Sequence, residues 1–197
     1  MGNNDFLSRM EKVREGMARE GADVFLLGPS SDIFYLTGYG VKGDKRLLLL
    51  VLPLKGESFI IANLLYKEQV KNLPAGDFVY WKDGEDAYSL LKTEIAKRNI
   101  TMNKAALEAQ IPALFTLPLR EVFPATEFIL GSPIIDPLRQ YKDGKELDLI
   151  RKACKESDRA LNAVISQGAY WIGKTEVEFY DALSSEFNRS GLSYFGA

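Results

Sequence analysis

The run Leu47-Leu48-Leu49-Leu50-Val51-Leu52, closed by Pro53, constrains this chain more than any other stretch. It is far too short to cross a bilayer as a helix, and it offers no polar position to water. A strand that is apolar on both sides has to be covered on both sides, so the run predicts a sheet sandwiched between other elements. A turn at Lys55-Gly56-Glu57 and a second apolar run, Phe59-Ile60-Ile61-Ala62, follow at hairpin spacing. The two strands are therefore expected to be antiparallel neighbours.

The flanking sequence supplies the cover. Leu7, Met10, Val13 and Met17 recur at helical spacing, with Asn3 or Asn4 placed to cap and Gly21 to stop a first helix over roughly residues 4–20. Val24-Phe25-Leu26-Leu27 reads as a strand halted by Gly28-Pro29, and Ser30-Ser31-Asp32 leads into Ile33–Leu36, a short helix or extended piece. Beyond the hairpin come a helix near 64–72, a strand at 78–81, a helix at 86–98 and a strand at 104–108. A helical stretch with Leu117, Leu119 and Val122 and the run Glu127–Leu130 complete the alternation. The expected class is α/β: a mixed sheet flanked by helices.

The chain changes character near residues 136–143. Asp143 and Glu146 form a capping pair, and Leu147, Ile150, Cys154, Leu161 and Val164 make one stripe on a long helix that Gly168 ends. Thr175 and Glu178 form a second pair, opening a helix with Val177, Tyr180, Leu183 and Phe187 on one side until Gly191. Two such helices bury little by themselves and supply only part of the surface their stripes require. At 197 residues the chain fits one whole domain, residues 1–138, followed at 139–197 by a linker and the first helices of an incomplete second one.

Composition removes several functions. A net charge of −2 gives no overall attraction to nucleic acid or to anionic lipid, so neither is expected as a partner. One cysteine permits no intrachain disulfide, and the N-terminus lacks a signal pattern and has Phe6 where myristoylation requires Ser or Thr; a cytoplasmic location is expected. In that setting the acceptor tripeptides at Asn99 and Asn188 carry no weight. The absence of histidine excludes catalytic triads, Cys–His dyads and His-bearing zinc sites.

Few motifs survive. Gly38-Tyr39-Gly40-Val41-Lys42-Gly43 spells G-x-G-x-x-G but precedes a strand, so no helix N-terminus faces a pyrophosphate, and it reads as a loop. The alternating charges from Lys142 to Arg159 read as a solvated helix face, Cys154 as core packing, and Glu176 and Glu178 as first-turn carboxylates. Asp32 stays open between a turn or cap aspartate and a binding carboxylate set among Phe34, Tyr35 and Tyr39. A carboxylate-based nuclease would need acidic clusters at strand ends and a basic approach surface, and neither is evident.

Three stretches stand in order: Ser31-Asp32-Ile33-Phe34-Tyr35-Leu36-Thr37-Gly38-Tyr39; then Leu138-Arg139-x-x-Lys142-Asp143-x-x-Glu146-Leu147-x-x-Ile150-Arg151-x-Ala153; then Gly173-x-Thr175-Glu176. Together they resemble the creatinase, prolidase and aminopeptidase P family of proline-specific peptidases and relatives, over essentially the whole chain. The resemblance implies a non-catalytic N-terminal α/β domain of the creatinase/prolidase type, followed by the opening helices of a pita-bread metallopeptidase domain. It implies a homodimer in which loops of the kind at 30–45 approach the neighbouring subunit's active-site mouth. Asp32, Tyr35 and Tyr39 are then the residues expected to touch substrate in trans, Asp32 holding a peptide ammonium between tyrosine walls. The family's two divalent ions, Mn or Co, are bound by ligands further along its second domain. The resemblance therefore implies no cofactor, metal ligand or catalytic residue in these 197 residues, and a peptide with proline at the second position as substrate of a full-length parent. A free-standing α/β dimerisation or small-ligand-binding module is the alternative.

Overall fold

The structure, a computed structural model, describes residues 3–40 and 44–191. Its contacts divide the chain into two compact units, Met1–Tyr141 and Lys142–Ala197.

The first unit is built on a six-stranded mixed sheet: β1 (Val24–Leu27), β2 (Leu49–Pro53), β3 (Phe59–Asn63), β4 (Asp77–Trp81), β5 (Lys104–Leu107) and β6 (Glu127–Leu130), in the spatial order β4-β3-β2-β1-β5-β6. The hairpin pairs antiparallel as its spacing requires, with Leu50 opposite Ile60. β1 lies antiparallel to β2 and parallel to β5. β2 and β3 are buried at every position.

Side chains along a strand alternate between faces, and the two cores follow that period. Phe25, Leu27, Leu50, Leu52 and Ile60 pack with α1 (Asn3–Glu20), α2 (Ser31–Thr37) and α6 (Ser132–Gln140) through Met10, Val13, Met17, Ile33, Leu36, Ile134 and Ile135. Val24, Leu26, Leu49, Val51, Phe59 and Ile61 pack with α4 (Ala87–Lys97) and α5 (Ala113–Val122) through Leu91, Ile95, Phe115 and Leu119. The expected class, a mixed sheet with helices on both faces, is what forms.

Local expectations hold with adjustments. Asn3 and Asn4 lie within α1 rather than capping it, and Gly21 ends it with φ +68°. The segment after Ser30 is a helix. Leu47 and Leu48 are buried ahead of β2 rather than in it, and Trp81 Nε1 donates to the Leu47 carbonyl at 3.0 Å. Residues 64–72 form a 3-10 turn, Leu64–Tyr66, and one helical turn, α3 (Lys67–Val70). The helix α6 has no counterpart in the sequence reading. Its prolines argue against it locally, but Pro133 sits in the first turn, where a missing N–H costs nothing, and Ile134 and Ile135 are buried.

The second unit contains α7 (Gly144–Ile165), a 3-10 turn at Gly168–Trp171, and α8 (Glu176–Arg189). Both helices open with the reciprocal capping boxes expected at Asp143/Glu146 and Thr175/Glu178. Trp171 Nε1 donates to the Val164 carbonyl at 2.7 Å, and its ring meets Tyr170 and Phe179 edge-on. The long stripe is only partly used: Val164 is buried, but Leu147, Ile150 and Leu161 are exposed. Cys154 is exposed too, which corrects its reading as core packing. A pair of helices has one shared seam, and the rest of each stripe finds no cover within it.

Capping gives a direct test. Thr175→Ala removes the acceptor for the Glu178 amide and should cost α8 about 1 kcal/mol, read as faster hydrogen exchange in its first turn. Glu178 accepts from the Thr175 amide and from Lys174, which pulls its carboxyl down to about 2. A depressed acid stabilises above its unfolded value and loses that contribution as pH falls through the depressed one, so this end of α8 should fray between about pH 4 and pH 2.

Candidate functional site

The candidate residues sit where β1 hands over to α2. Ser30, extended at φ −158°, caps α2 by accepting from the amides of Asp32 at 3.2 Å and Ile33 at 3.4 Å. The helix ends at Gly38, whose φ of +73° suits a residue without Cβ and whose amide donates to the Phe34 carbonyl at 2.7 Å. Seven residues of helix thus hold Asp32 and Tyr35 one turn apart on one side.

Asp32 is 5% exposed, and Arg139 Nη1 donates to its Oδ1 across 107 residues of sequence. Burial pushes the Asp32 carboxyl up, opposed by the Arg139 charge and hydrogen bond and reinforced by Asp136. Tyr35 lies under the Arg9 guanidinium, 4.1 Å from ring centre to Cζ, and its hydroxyl donates to the Leu138 carbonyl at 3.4 Å. Tyr39 is half-buried, its hydroxyl bonded to Gln69 Oε1 and its phenol pushed up by burial. The structure therefore joins Asp32 and Tyr35 to the end of α6, and joins Tyr39 to α3. Residues 41–43, which complete the glycine loop, lie outside the described residues.

Two members of this cluster escaped the sequence reading as site residues. Arg139 is legible only as part of an extended motif. Glu108, the residue after β5, is 3% exposed; its amide donates to the Leu26 carbonyl, and its Oε1 accepts the Gln110 amide at 2.9 Å. Burial pushes its carboxyl up, opposed by the Gln110 amide, the Ser30 hydroxyl and the Arg139 charge and reinforced by the Asp32 charge. A glutamate after an apolar strand carries no local mark of burial.

Among the described residues no three His, Cys, Asp or Glu side chains are grouped to hold a metal ion, and Asp32 is already engaged by the Arg139 guanidinium. This donor set does not suit a pair of divalent ions. No helix among the described residues is long and apolar enough to cross a membrane.

A mixed sheet in this order, covered by helices on both faces and followed by two capped helices, defines a known domain type. Residues 9–141 match the Creatinase/Prolidase N-terminal domain, and the chain belongs to that family. The Xaa-Pro dipeptidase of Lactobacillus delbrueckii subsp. lactis is 29% identical over 154 residues, which cover 77% of this chain and 42% of that protein. A crystal structure of recombinant prolidase from Thermococcus sibiricus superposes with a TM-score of 0.83 at 27% identity, over 93% of this chain and 50% of that one. The N-terminal domain of Xaa-Pro dipeptidase from Lactobacillus brevis shares the fold at a TM-score of 0.60 and 23% identity, over 67% of this chain and 98% of that one. The chain spans about half the length of the curated relatives it matches.

Proposed function

We propose that this chain is the non-catalytic N-terminal part of a metal-dependent Xaa-Pro peptidase, serving dimerisation and shaping of the substrate site. The observation that carries the reading is the family match over residues 9–141 with two capped helices continuing beyond it. The two divalent ions, Mn or Co, and the hydrolytic step belong in this reading to the remainder of a longer parent; the location is cytoplasmic and the substrate a peptide with proline at its second position. The boundary between the parts is placed near residues 138–139.

Asp32, Tyr35 and Tyr39 would serve the partner subunit's substrate. Arg139 engages Asp32 through Oδ1, and a peptide ammonium would be taken by the other carboxylate oxygen, with the tyrosines as walls. Asp32→Ala should leave the 197-residue chain folded at a cost of about 1–2 kcal/mol, because the half-exposed Arg139 regains water. The same change in a longer parent should weaken peptide processing; unchanged processing removes Asp32 from the site.

The deciding assay compares the 197-residue chain with a longer protein containing it, each with Mn²⁺ or Co²⁺, for release of the residue preceding proline. Activity confined to the longer protein supports the proposal. Inactivity of both favours a free-standing dimerisation or small-ligand-binding module.

A further inference from the structure

β1 and β5 are adjacent and parallel, so the residues just beyond them share one end of the sheet. Asp32 stands there at the start of α2, Glu108 directly after β5, and Arg139 reaches in from the last turn of α6. The count of hydrogen bonds is incomplete: Glu108 Oε1 has the Gln110 amide, but the buried Oε2 accepts from no described group. An acceptor-only oxygen without a donor in a dry site is costly, and more so beside a second carboxylate. A bound proton converts that oxygen into an O–H, which the neighbouring Asp32 carboxylate can accept; the Ser30 oxygen already accepts the Asp32 and Ile33 amides, and its own O–H works the other way, favouring the ionised Glu108.

We propose that Asp32, Glu108 and Arg139 form a one-proton latch for the end of α6. With Glu108 neutral, Arg139 answers to Asp32 alone, and the ion pair fixes the last turn of α6 to the start of α2. When Glu108 loses its proton, two buried carboxylates compete for one guanidinium and the latch loosens.

Charged groups from every element around the cluster enter this balance: Asp32 from α2, Arg139 and Asp136 from α6, with the Ser30 hydroxyl and Gln110 amide as neutral partners. Both carboxyls are displaced upward, mainly by burial. A raised Glu108 binds more protons folded than unfolded, so its contribution is present on the acid side and is lost as pH climbs from the ordinary carboxyl range through the raised value, while protonation of Asp32 breaks the ion pair itself. No histidine contributes to that fall, because the chain has none. An ordinary α-amino group titrates near about pH 8.

The test is urea unfolding of the 197-residue chain from the ordinary carboxyl range upward, about pH 4–7.5, alongside Glu108→Gln, whose amide supplies the donor permanently. The wild-type folding constant should fall with pH, by at most about tenfold per unit for the Glu108 proton, and more steeply than that of the variant, which keeps only the Asp32 contribution. Parallel slopes in the two proteins overturn the proposal. Carbon NMR of the Glu108 carboxyl decides independently of whether the variant folds: a midpoint above the ordinary glutamate value supports the latch, and one at or below it refutes it. Asp32→Asn, which removes the competing charge, should move that titration down towards the ordinary glutamate range; an unmoved titration also counts against the latch.

Discussion

Phe25→Ala is expected to cost the first unit about 3–5 kcal/mol, enough to threaten its folded state. Phe25 occupies the middle of the sheet on β1, between Leu52 of β2 and Ala106 of β5, and is fully buried beneath α1, α2 and α6. Truncation removes apolar area and leaves a hole lined by a sheet that is hydrogen-bonded on both sides and cannot collapse around it. Guanidinium unfolding followed by far-ultraviolet circular dichroism reads the change as a lower midpoint at unchanged slope. A loss under about 1 kcal/mol would mean that the helices close over the gap, against the packing described here.

Gly131→Ala is expected to be nearly as severe, about 3 kcal/mol, although its backbone is ordinary at φ −82°. The cause is space. A Cβ on residue 131 would stand 2.5 Å from Phe25 Cζ and 2.9 Å from the Leu107 carbonyl oxygen. Phe25 is locked in the core, and the Leu107 oxygen accepts from the Gly131 amide at 2.7 Å, so α6 itself has to move. That movement should also pull Arg139 from Asp32. The two predictions are coupled: in a Phe25→Leu background the cost of Gly131→Ala should shrink by about 1 kcal/mol or more, as for residues in direct contact. Strict additivity in a double-mutant cycle would show that Phe25 is not the obstacle.

Much of the architecture was legible because it rests on short-range chemistry. The 47–52 run had to be covered on both sides, although its strand begins only at Leu49, and Lys55-Gly56-Glu57 could only fold it back on Phe59–Ala62. The capping pairs Asp143/Glu146 and Thr175/Glu178 satisfy amides three residues away, so spacing alone located both helix starts. α6 was missed for the converse reason. Its prolines are unfavourable by local rules, and the compensation, burial of Ile134 and Ile135 against α1, comes from residues more than a hundred positions away. Cys154 was misplaced because a stripe states which residues would be buried and not whether a surface exists to bury them.

The candidate site divides along the same line. Asp32, Tyr35 and Tyr39 stood out as polar and aromatic residues after a strand end, and the family followed from their motif taken with the segment from Leu138 to Ala153. Strand periods, helix caps, turn positions and the absence of histidine were determined by the sequence by itself, since each depends on residue type within a few positions. The pairing of β1 with β5, the burial of Glu108 and the Arg139–Asp32 ion pair were decided only by the tertiary structure. A carboxylate's surroundings are set by whichever distant elements pack over it, and desolvation with the competition for Arg139, rather than residue type, governs the charge it carries.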